Sequence, residues 1–194
     1  MRTKPRSISI ASGKGGTGKT TMTANLGVAL GSLGKDVTIL DGDLAMANLG
    51  IVLGMTRCEI SFLDVLAGKA DIKDAIYKNY GIKVVPTGFR FEDIHDVLSN
   101  LKRECVEGAI TELLHQTEFL LIDAPAGITD ATVISIAAAR EMLPVCNPTY
   151  ASLVDSTRLS EIPDSLLPLF SFLCPNKARI GIHERWREAL EAEK

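Results

Sequence analysis

Residues 12–21 read SGKGGTGKTT, and this stretch decides the fold of the 194-residue chain. From Gly13 to Thr20 it matches the pattern G-x-x-x-x-G-K-[ST], in which backbone N–H groups surround the phosphates of a nucleotide. In this pattern the ammonium of Lys19 neutralises the β- and γ-phosphate oxygens, and the hydroxyl of Thr20 coordinates Mg²⁺. The residues predicted to bind the nucleotide here are Gly13, Lys14, Gly15, Gly16, Thr17, Gly18, Lys19, Thr20 and Thr21.

The same glycines also fit a second pattern, G-x-G-x-x-G through Gly13, Gly15 and Gly18, which is typical of dinucleotide-binding folds. Asp41 and Asp43 lie about where such a fold places its ribose-binding carboxylate. The Lys-Thr pair that follows Gly18 decides between the two patterns. A triphosphate with Mg²⁺ needs both an ammonium and a hydroxyl, whereas a nicotinamide or flavin site gains little from them. We therefore predict a nucleoside triphosphate site.

Short apolar runs alternate with longer segments of helical period, and this order predicts an α/β fold with a mostly parallel sheet between two layers of helices. The predicted strands are 7–11, 36–41, 82–86, 119–123 and 142–146, with a further one at 170–174. The predicted helical segments are 18–33, 61–78 as two short helices broken at Gly68, 91–116 and 130–140. In the first helix, the apolar stripe is predicted to be Met22, Leu26, Leu30 and Leu33.

Four loops follow the carboxyl ends of the predicted strands, at 12–18, 41–50, 123–130 and 147–155. Open parallel sheets bind their ligands at this edge, so we expect the four loops to converge.

Two acidic segments follow buried strands. Asp41 ends the second predicted strand and Asp43 lies two residues on, where a carboxylate could orient a water for in-line attack or hold Mg²⁺. The segment FLLIDAPAG has four apolar residues before Asp123, which is the pattern of a buried strand that delivers a carboxylate to the Mg²⁺ region. Gly127 is then expected to donate its backbone N–H to the γ-phosphate. The predicted Mg²⁺ ligands are Thr20, Asp43 and Asp123.

Composition restricts the classes of function. The chain is 46% hydrophobic and 23% charged, which is typical of a globular domain. Its formal net charge of −3 does not predict a nucleic-acid partner. Its four cysteines contain no C-x-x-C pair and are expected to be reduced thiols. The longest apolar run, VISIAAA at 133–139, is far short of the roughly 20 residues of a membrane helix, so a cytoplasmic location is expected.

The stretch KGGTGKTT, with Lys14 as the second residue of the loop, resembles the deviant phosphate loop of the MinD/ParA ATPases. The resemblance implies that Lys14 is a signature lysine, which reaches across an ATP-dependent homodimer to the phosphates bound by the partner. The segment DGDLAMANL is similar to switch I of that family. This similarity implies that Asp43 serves hydrolysis, together with Lys14 and Lys19, and that Asn48 and Asp41 belong to the switch.

Further resemblances indicate the MinD branch. Ala126, in D-x-P-A-G, stands where other branches tend to have a second proline. The stretch CNPTYASLVDSTRLSEI is similar to the MinD segment after its next strand, which implies an ion pair between Asp155 and Lys14. Asn147 follows a strand at the side expected for the nucleotide, and the family's interval implies that Asn176 contacts adenine.

The carboxyl-terminal part departs from the family pattern. Residues 1–194 are expected to form a single P-loop ATPase domain, atypical and shortened from about residue 163. Pro163, Pro168 and Pro175 interrupt an expected helix and strand, and Lys177 replaces the family's arginine. The last segment, HERWREALEAEK, has four glutamates against three cations, which favours a packing helix or a frayed tail over the family's membrane anchor. Peripheral membrane association is therefore only weakly supported.

The resemblance implies an Mg²⁺-dependent ATPase that acts as a dimerisation switch in spatial positioning, such as division-site selection, with an unidentified regulatory or cargo protein. Two alternatives stay open. An iron–sulfur carrier on the same fold would need paired cysteines near the dimer axis, and a non-hydrolysing relic would bind ATP without turnover. A relative that phosphorylates a small molecule would usually lack Lys14.

Overall fold

The computed structural model describes residues 4–55, 57–88, 103–127, 132, 135, 138–152 and 154–158. In chain order the elements are β1 (Arg6–Ser12), α1 (Lys19–Ser32), β2 (Val37–Asp41), α2 (Leu49–Val52), α3 (Phe62–Leu66), a 3-10 turn (Ile72–Ala75), β3 (Tyr77–Asn79), β4 (Ile82–Val85), α4 (Arg103–His115), β5 (Phe119–Ala126) and β6 (Glu141–Pro144). The six strands form one sheet in the order β3-β4-β2-β5-β1-β6. Every neighbouring pair is parallel except β3 and β4.

The sheet is covered on both faces because its central strands bury both sets of alternating side chains. On β2, Val37 and Ile39 pack with Ala24 of α1, whereas Leu40 packs on the opposite face with the residues of α3 and α4. Helices α1 and α2 therefore lie on one face, and α3 and α4 on the other. The predicted three-layer α/β fold is confirmed.

The five main predicted strands are confirmed within one or two residues at most ends, and the segment 170–174 lies outside the described residues. Strand β5 runs three residues further than predicted, through Ala126. The helix predicted over 91–116 is described only as α4. Of the helix predicted over 130–140, residues 132 and 135 are helical, but residues 138–140 are not, so the predicted carboxyl end of this helix was wrong.

The prediction of two short helices over 61–78 was correct only for the first, α3. The second half is the 3-10 turn followed by β3, which pairs antiparallel with β4. Tyr80 and Gly81 connect these strands with φ of 48° and 76°. Two successive residues of positive φ are typical of a tight hairpin turn, and glycine at its second position is the signal that could have predicted β3.

The predicted apolar stripe of α1 was wrong in part. Met22 and Leu33 are 47% and 75% exposed, and Leu26 and Leu30 are only partly buried. The residues that α1 buries are Lys19, Thr23, Ala24 and Gly27. A Cβ at Gly27 would lie 2.3 Å from Cδ1 of Ile39, so the small side of the helix faces the sheet. The helix lies so close to the sheet that its small residues, and not its large apolar ones, face the strands.

Among the described residues no helix is long and apolar enough to cross a membrane. Cys58, Cys105 and Cys146 are free thiols, and Cys174 lies outside the described part of the chain.

Candidate nucleotide-binding site

The phosphate loop connects β1 to α1 at the carboxyl edge of the sheet. Gly16 and Gly18 have φ of 73° and 89°, a region that favours glycine. A Cβ at either position would meet nothing within 4 Å, so the space beside these two residues is open. The hydroxyl of Thr17 is buried and has no hydrogen-bond partner among the described residues. The loop thus presents open backbone and an unsatisfied hydroxyl, which suit a bound polyanion.

Lys19 is the first residue of α1 and only 8% exposed. Burial lowers the pKa of this ammonium, and the neighbouring carboxylates of Asp123 and Asp43 oppose that shift. Its position at a helix amino terminus adds further positive potential. A negatively charged ligand would compensate this buried cation.

Asp123 is brought to the phosphate loop by β5, as the sequence predicted. It is 2% exposed and accepts a hydrogen bond from the hydroxyl of Thr23 at 3.2 Å. Burial raises the pKa of Asp123, while the neighbouring hydroxyls of Thr20 and Thr23 and the ammonium of Lys19 lower it. Thr20 and Asp123, two of the predicted Mg²⁺ ligands, therefore lie together. Thr23 was missed, although it lies one helical turn after Lys19 and hence on the same face.

Asp41 ends β2, directly opposite Asp123 in the parallel register. Its side chain is fully buried, and both carboxylate oxygens accept backbone N–H groups, Oδ1 from Asp43 at 3.1 Å and Oδ2 from Leu49 at 3.3 Å. Burial, with Asp123 next in importance, holds the pKa of Asp41 well above its usual range. Asp41 therefore lies in the predicted switch segment, and both of its carboxylate oxygens are engaged by backbone N–H groups.

Asp43 lies in the loop after β2 and is half-buried. Its Oδ1 accepts the backbone N–H of Met46 at 2.9 Å, which curls the loop around this carboxylate. Asn48 is exposed and donates from Nδ2 to the carbonyl of Met46 at 2.9 Å. The loop is thus ordered by Asp41 and Asp43 together.

Lys14 and Asp155 form the ion pair implied by the resemblance, with Nζ 3.3 Å from Oδ2. The helical turn over 154–158 approaches the loop so closely that a Cβ at Gly13 would lie 2.4 Å from Cβ of Asp155. Arg158 lies on the other side of Asp155, with Nη1 3.7 Å from Oδ1. The fourth predicted loop therefore meets the first.

The remaining predicted residues have different outcomes. Gly127 donates its backbone N–H to the carbonyl of Ser12 at 3.1 Å, so a γ-phosphate contact stays a prediction that requires this bond to break. Gly15 lies next to Ala126, since a Cβ at Gly15 would be 3.9 Å from that methyl group. Asn147 is exposed after β6, and Asn176 lies outside the described residues.

The residues present fit Mg²⁺ with a nucleotide. Mg²⁺ is usually held by one or two carboxylates together with substrate phosphates and waters. The hydroxyl of Thr20 and the carboxylate of Asp123 lie together beside Lys19. The negative charge of Asp43 acts on the pKa of both Lys19 and Asp123. Within the described part of the chain, no three His, Cys, Asp or Glu side chains form a metal-binding group by themselves.

A glycine-rich loop between the first strand and the first helix, with a buried lysine and a strand-end aspartate beside it, defines a P-loop nucleotide-binding protein. The sequence profile of the ParA family, described as an NUBPL iron-transfer P-loop NTPase, matches residues 4–166. The chain belongs to the ParA family of P-loop NTPases.

Individual relatives point to the MinD type within this family. An uncharacterised ATP-binding protein of Methanocaldococcus jannaschii is 45% identical over 160 residues, which cover 82% of this chain and 59% of that protein. The septum site-determining protein MinD of Thermotoga maritima is 35% identical, covering 78% and 56%. The structure of MinD from Pyrococcus horikoshii in complex with Mg-ADP is 39% identical, with a TM-score of 0.76, covering 83% and 65%. The chain thus spans less than two thirds of the length of each of these proteins.

Proposed function

We propose that this chain is an Mg²⁺-dependent ATPase whose ATP-bound form is a homodimer and whose ADP-bound form is a monomer. The observation that carries the proposal is the position of Lys14. This lysine is the second residue of the phosphate loop, its side chain is 52% exposed, and its ammonium pairs with Asp155. A second lysine in a loop that already contains Lys19 has a separate use if it reaches the nucleotide of a partner.

The residues of the site divide the chemistry between them. Lys19 would hold the β- and γ-phosphates, and Thr20 with Asp123 would hold Mg²⁺, which supplies charge neutralisation on the phosphate oxygens. Asp43 is assigned to the attacking water. Its Oδ1 is engaged by the N–H of Met46, so Oδ2 is the oxygen that would accept the water's hydrogen bond.

Exposed apolar side chains on the loop after β2 and on the following helix α2 support a surface that responds to the nucleotide. Met46, Ile51 and Val52 are 69%, 59% and 47% exposed, and all three follow Asp43 within nine residues. Loops ordered by a γ-phosphate are a common way to couple hydrolysis to assembly. On this proposal, ATP binding completes the dimer surface and hydrolysis at Asp43 releases it.

The biological role we propose is spatial positioning, such as division-site selection, with a regulatory or cargo protein that recognises the ATP-bound dimer. The support is the naming of the relatives as septum site-determining proteins. Identity of 35% to 39% over part of the chain favours a shared switch.

The decisive experiment measures mass by size-exclusion chromatography with light scattering, with Mg-ATP or Mg-ADP, alongside phosphate release. We expect wild type to dimerise transiently, Asp43→Ala to stay dimeric without releasing phosphate, and Lys14→Ala to stay monomeric. Lys35→Ala, an exposed lysine just beyond α1, is the matched control and should behave as wild type. Monomeric Asp43→Ala in saturating Mg-ATP would rule out the proposal.

A second candidate is an iron–sulfur carrier, which the description of the family profile as iron-transfer proteins favours. A carrier of this kind would need thiolates from two protomers, because no C-x-x-C pair is present in the sequence. Anaerobic reconstitution with iron and sulfide separates the two functions. A visible charge-transfer band that disappears on replacing a cysteine would favour the carrier, and its absence with intact ATP-dependent dimerisation would favour the switch.

A further inference from the structure

We propose that Asp41 is a positioning residue, whose buried carboxylate holds both ends of the segment 43–49 and so sets the place of Asp43 relative to the phosphate loop. This inference rests on the proposed function for its catalytic consequence, but its structural part concerns the protein without nucleotide. Asp41 itself would touch neither the nucleotide nor the attacking water.

The backbone of Asp41 is held firmly. Its carbonyl accepts the hydroxyl of Thr87 at 2.6 Å, and its Cα is in register with Asp123 on the neighbouring strand. The next residue, Gly42, donates its N–H to the carbonyl of Asp123 at 2.9 Å. A Cβ at Gly42 would lie 2.9 Å from that same oxygen, so no larger residue fits. Asp41 is therefore a rigid point at the end of the central sheet.

The carboxylate of Asp41 accepts two backbone N–H groups that are six residues apart. One belongs to Asp43, two residues on, and the other to Leu49, the first residue of α2. The side chain of Asn48, which stands at the N-cap position of α2, makes no capping bond. Asp41 thus provides from a distance an acceptor for one of the N–H groups that a helix amino terminus leaves without an intrahelical partner.

Burial makes these two bonds important. Asp41 and Leu49 are both 0% exposed, so an N–H or oxygen left without its partner there would not be solvated by water. Leu49 and Leu53 anchor α2 in the core beside Ala24, while Asp43 lies at the other end of the segment. One carboxylate therefore joins a core-anchored helix to the residue assigned to the water.

The test uses Asp41→Asn, which keeps the shape of the side chain but points an NH₂ group at one of the two N–H donors. Hydrogen exchange, measured by NMR without nucleotide, should show the N–H groups of Asp43 and Leu49 protected in wild type and exchanging at least about tenfold faster in the variant. Affinity for a fluorescent ATP analogue should stay within about threefold, since the phosphate loop is intact. The turnover number should fall about 100-fold, as expected when a reacting group is misplaced by about 1 Å.

Asp64→Asn is the matched control. Asp64 also accepts a backbone N–H through Oδ2, that of Ser61 at 2.8 Å, but in the capping box of α3. It should lower stability without changing turnover. A merely structural role for Asp41 would give the two variants the same kinetic profile, and this result would overturn the inference.

Two further outcomes keep the inference separate from the proposed function. Unprotected N–H groups of Asp43 and Leu49 in wild type would overturn the positioning role whether or not Asp41→Asn folds. Absence of ATP hydrolysis by wild type would instead contradict the proposed function, and the exchange measurement would still decide whether Asp41 holds the segment.

Discussion

Replacing Asp155 by asparagine is expected to strengthen the ATP-dependent dimer that we propose. In the monomer, Nζ of Lys14 lies 3.3 Å from Oδ2 of Asp155. If Lys14 must leave this pair to reach the phosphates of the partner, the pair opposes dimerisation in both protomers. Asparagine keeps the size of the side chain, so the close packing against Gly13 should persist while the charge is removed.

The solvent exposure of the Lys14–Asp155 ion pair sets the size of the expected gain in dimer stability. The two side chains are 52% and 23% exposed, and ion pairs with this degree of solvent access contribute about 0.2–1 kcal/mol each. A dimer breaks two of them, so the substitution should favour it by about 0.4–2 kcal/mol, or roughly 2- to 30-fold in Kd. Added salt screens the pair in wild type, so the difference between the variants should shrink as ionic strength rises.

Sedimentation velocity in Mg-ATP measures this effect at equilibrium when both proteins also carry Asp43→Ala, which should prevent turnover. Asp43→Ala is compared with the double variant Asp43→Ala/Asp155→Asn over a range of concentrations. Glu112→Gln in the same background is the control, because it breaks another exposed ion pair, with Lys73 at 2.8 Å, outside the phosphate loop.

Two results would refute the reasoning. A weaker dimer on Asp155→Asn would mean that Asp155 supports the dimer rather than restraining Lys14. An equal tightening by Glu112→Gln would mean that overall charge, and not this pair, limits association.

Three other predictions concern packing and thiol chemistry. Gly13→Ala should destabilise the apo protein by about 1–3 kcal/mol in urea unfolding, because the new Cβ would lie 2.4 Å from the Cβ of Asp155. Gly15→Ala is the control and should be tolerated, because its nearest atom lies 3.9 Å away. Equal losses of stability in the two variants would contradict the prediction. Gly27→Ala should lower the free energy of unfolding by a similar amount. Ile39→Val removes the Cδ1 atom 2.3 Å from the new Cβ, so it should recover part of this loss in a double-mutant cycle. Additive losses in the double variant would contradict the prediction. The thiol of Cys58, whose pKa is raised by burial, should be alkylated by iodoacetamide with a midpoint at higher pH than that of a free cysteine, as measured by peptide mass spectrometry. A midpoint at or below that of free cysteine would contradict this prediction.

Much of the site could be predicted from sequence because it depends on local spacing. The order of a strand, a glycine-rich loop and a helix requires only neighbouring residues, and it placed Lys19 and Thr20 correctly at the start of α1. The apolar run before Asp123 similarly indicated a buried strand ending in a carboxylate. That carboxylate lies beside Thr20 because the carboxyl ends of parallel strands share one edge of the sheet.

The same reasoning was less reliable where two distant segments decide the outcome. Hydrophobic periodicity assigned Met22 and Leu33 to the buried face of α1, but the sheet approaches this helix so closely that only a small residue such as Gly27 fits. Strand β3 was missed because its pairing with β4 depends on the hairpin at Tyr80 rather than on apolar alternation.

By itself, the sequence determined the class of fold, the phosphate loop and the set of charged residues around it, because these follow from residue types at short, regular spacing. Only the tertiary structure decided which of these charged side chains contact one another and which are buried. It brought the turn over 154–158 against Gly13, and this contact is the physical cause of the ion pair between Asp155 and Lys14, which the sequence implied only through its resemblance to the MinD branch. It also buried Asp41 with two N–H groups in place of a ligand. Such pairings depend on contacts between segments up to 142 residues apart, and no local pattern records those distances.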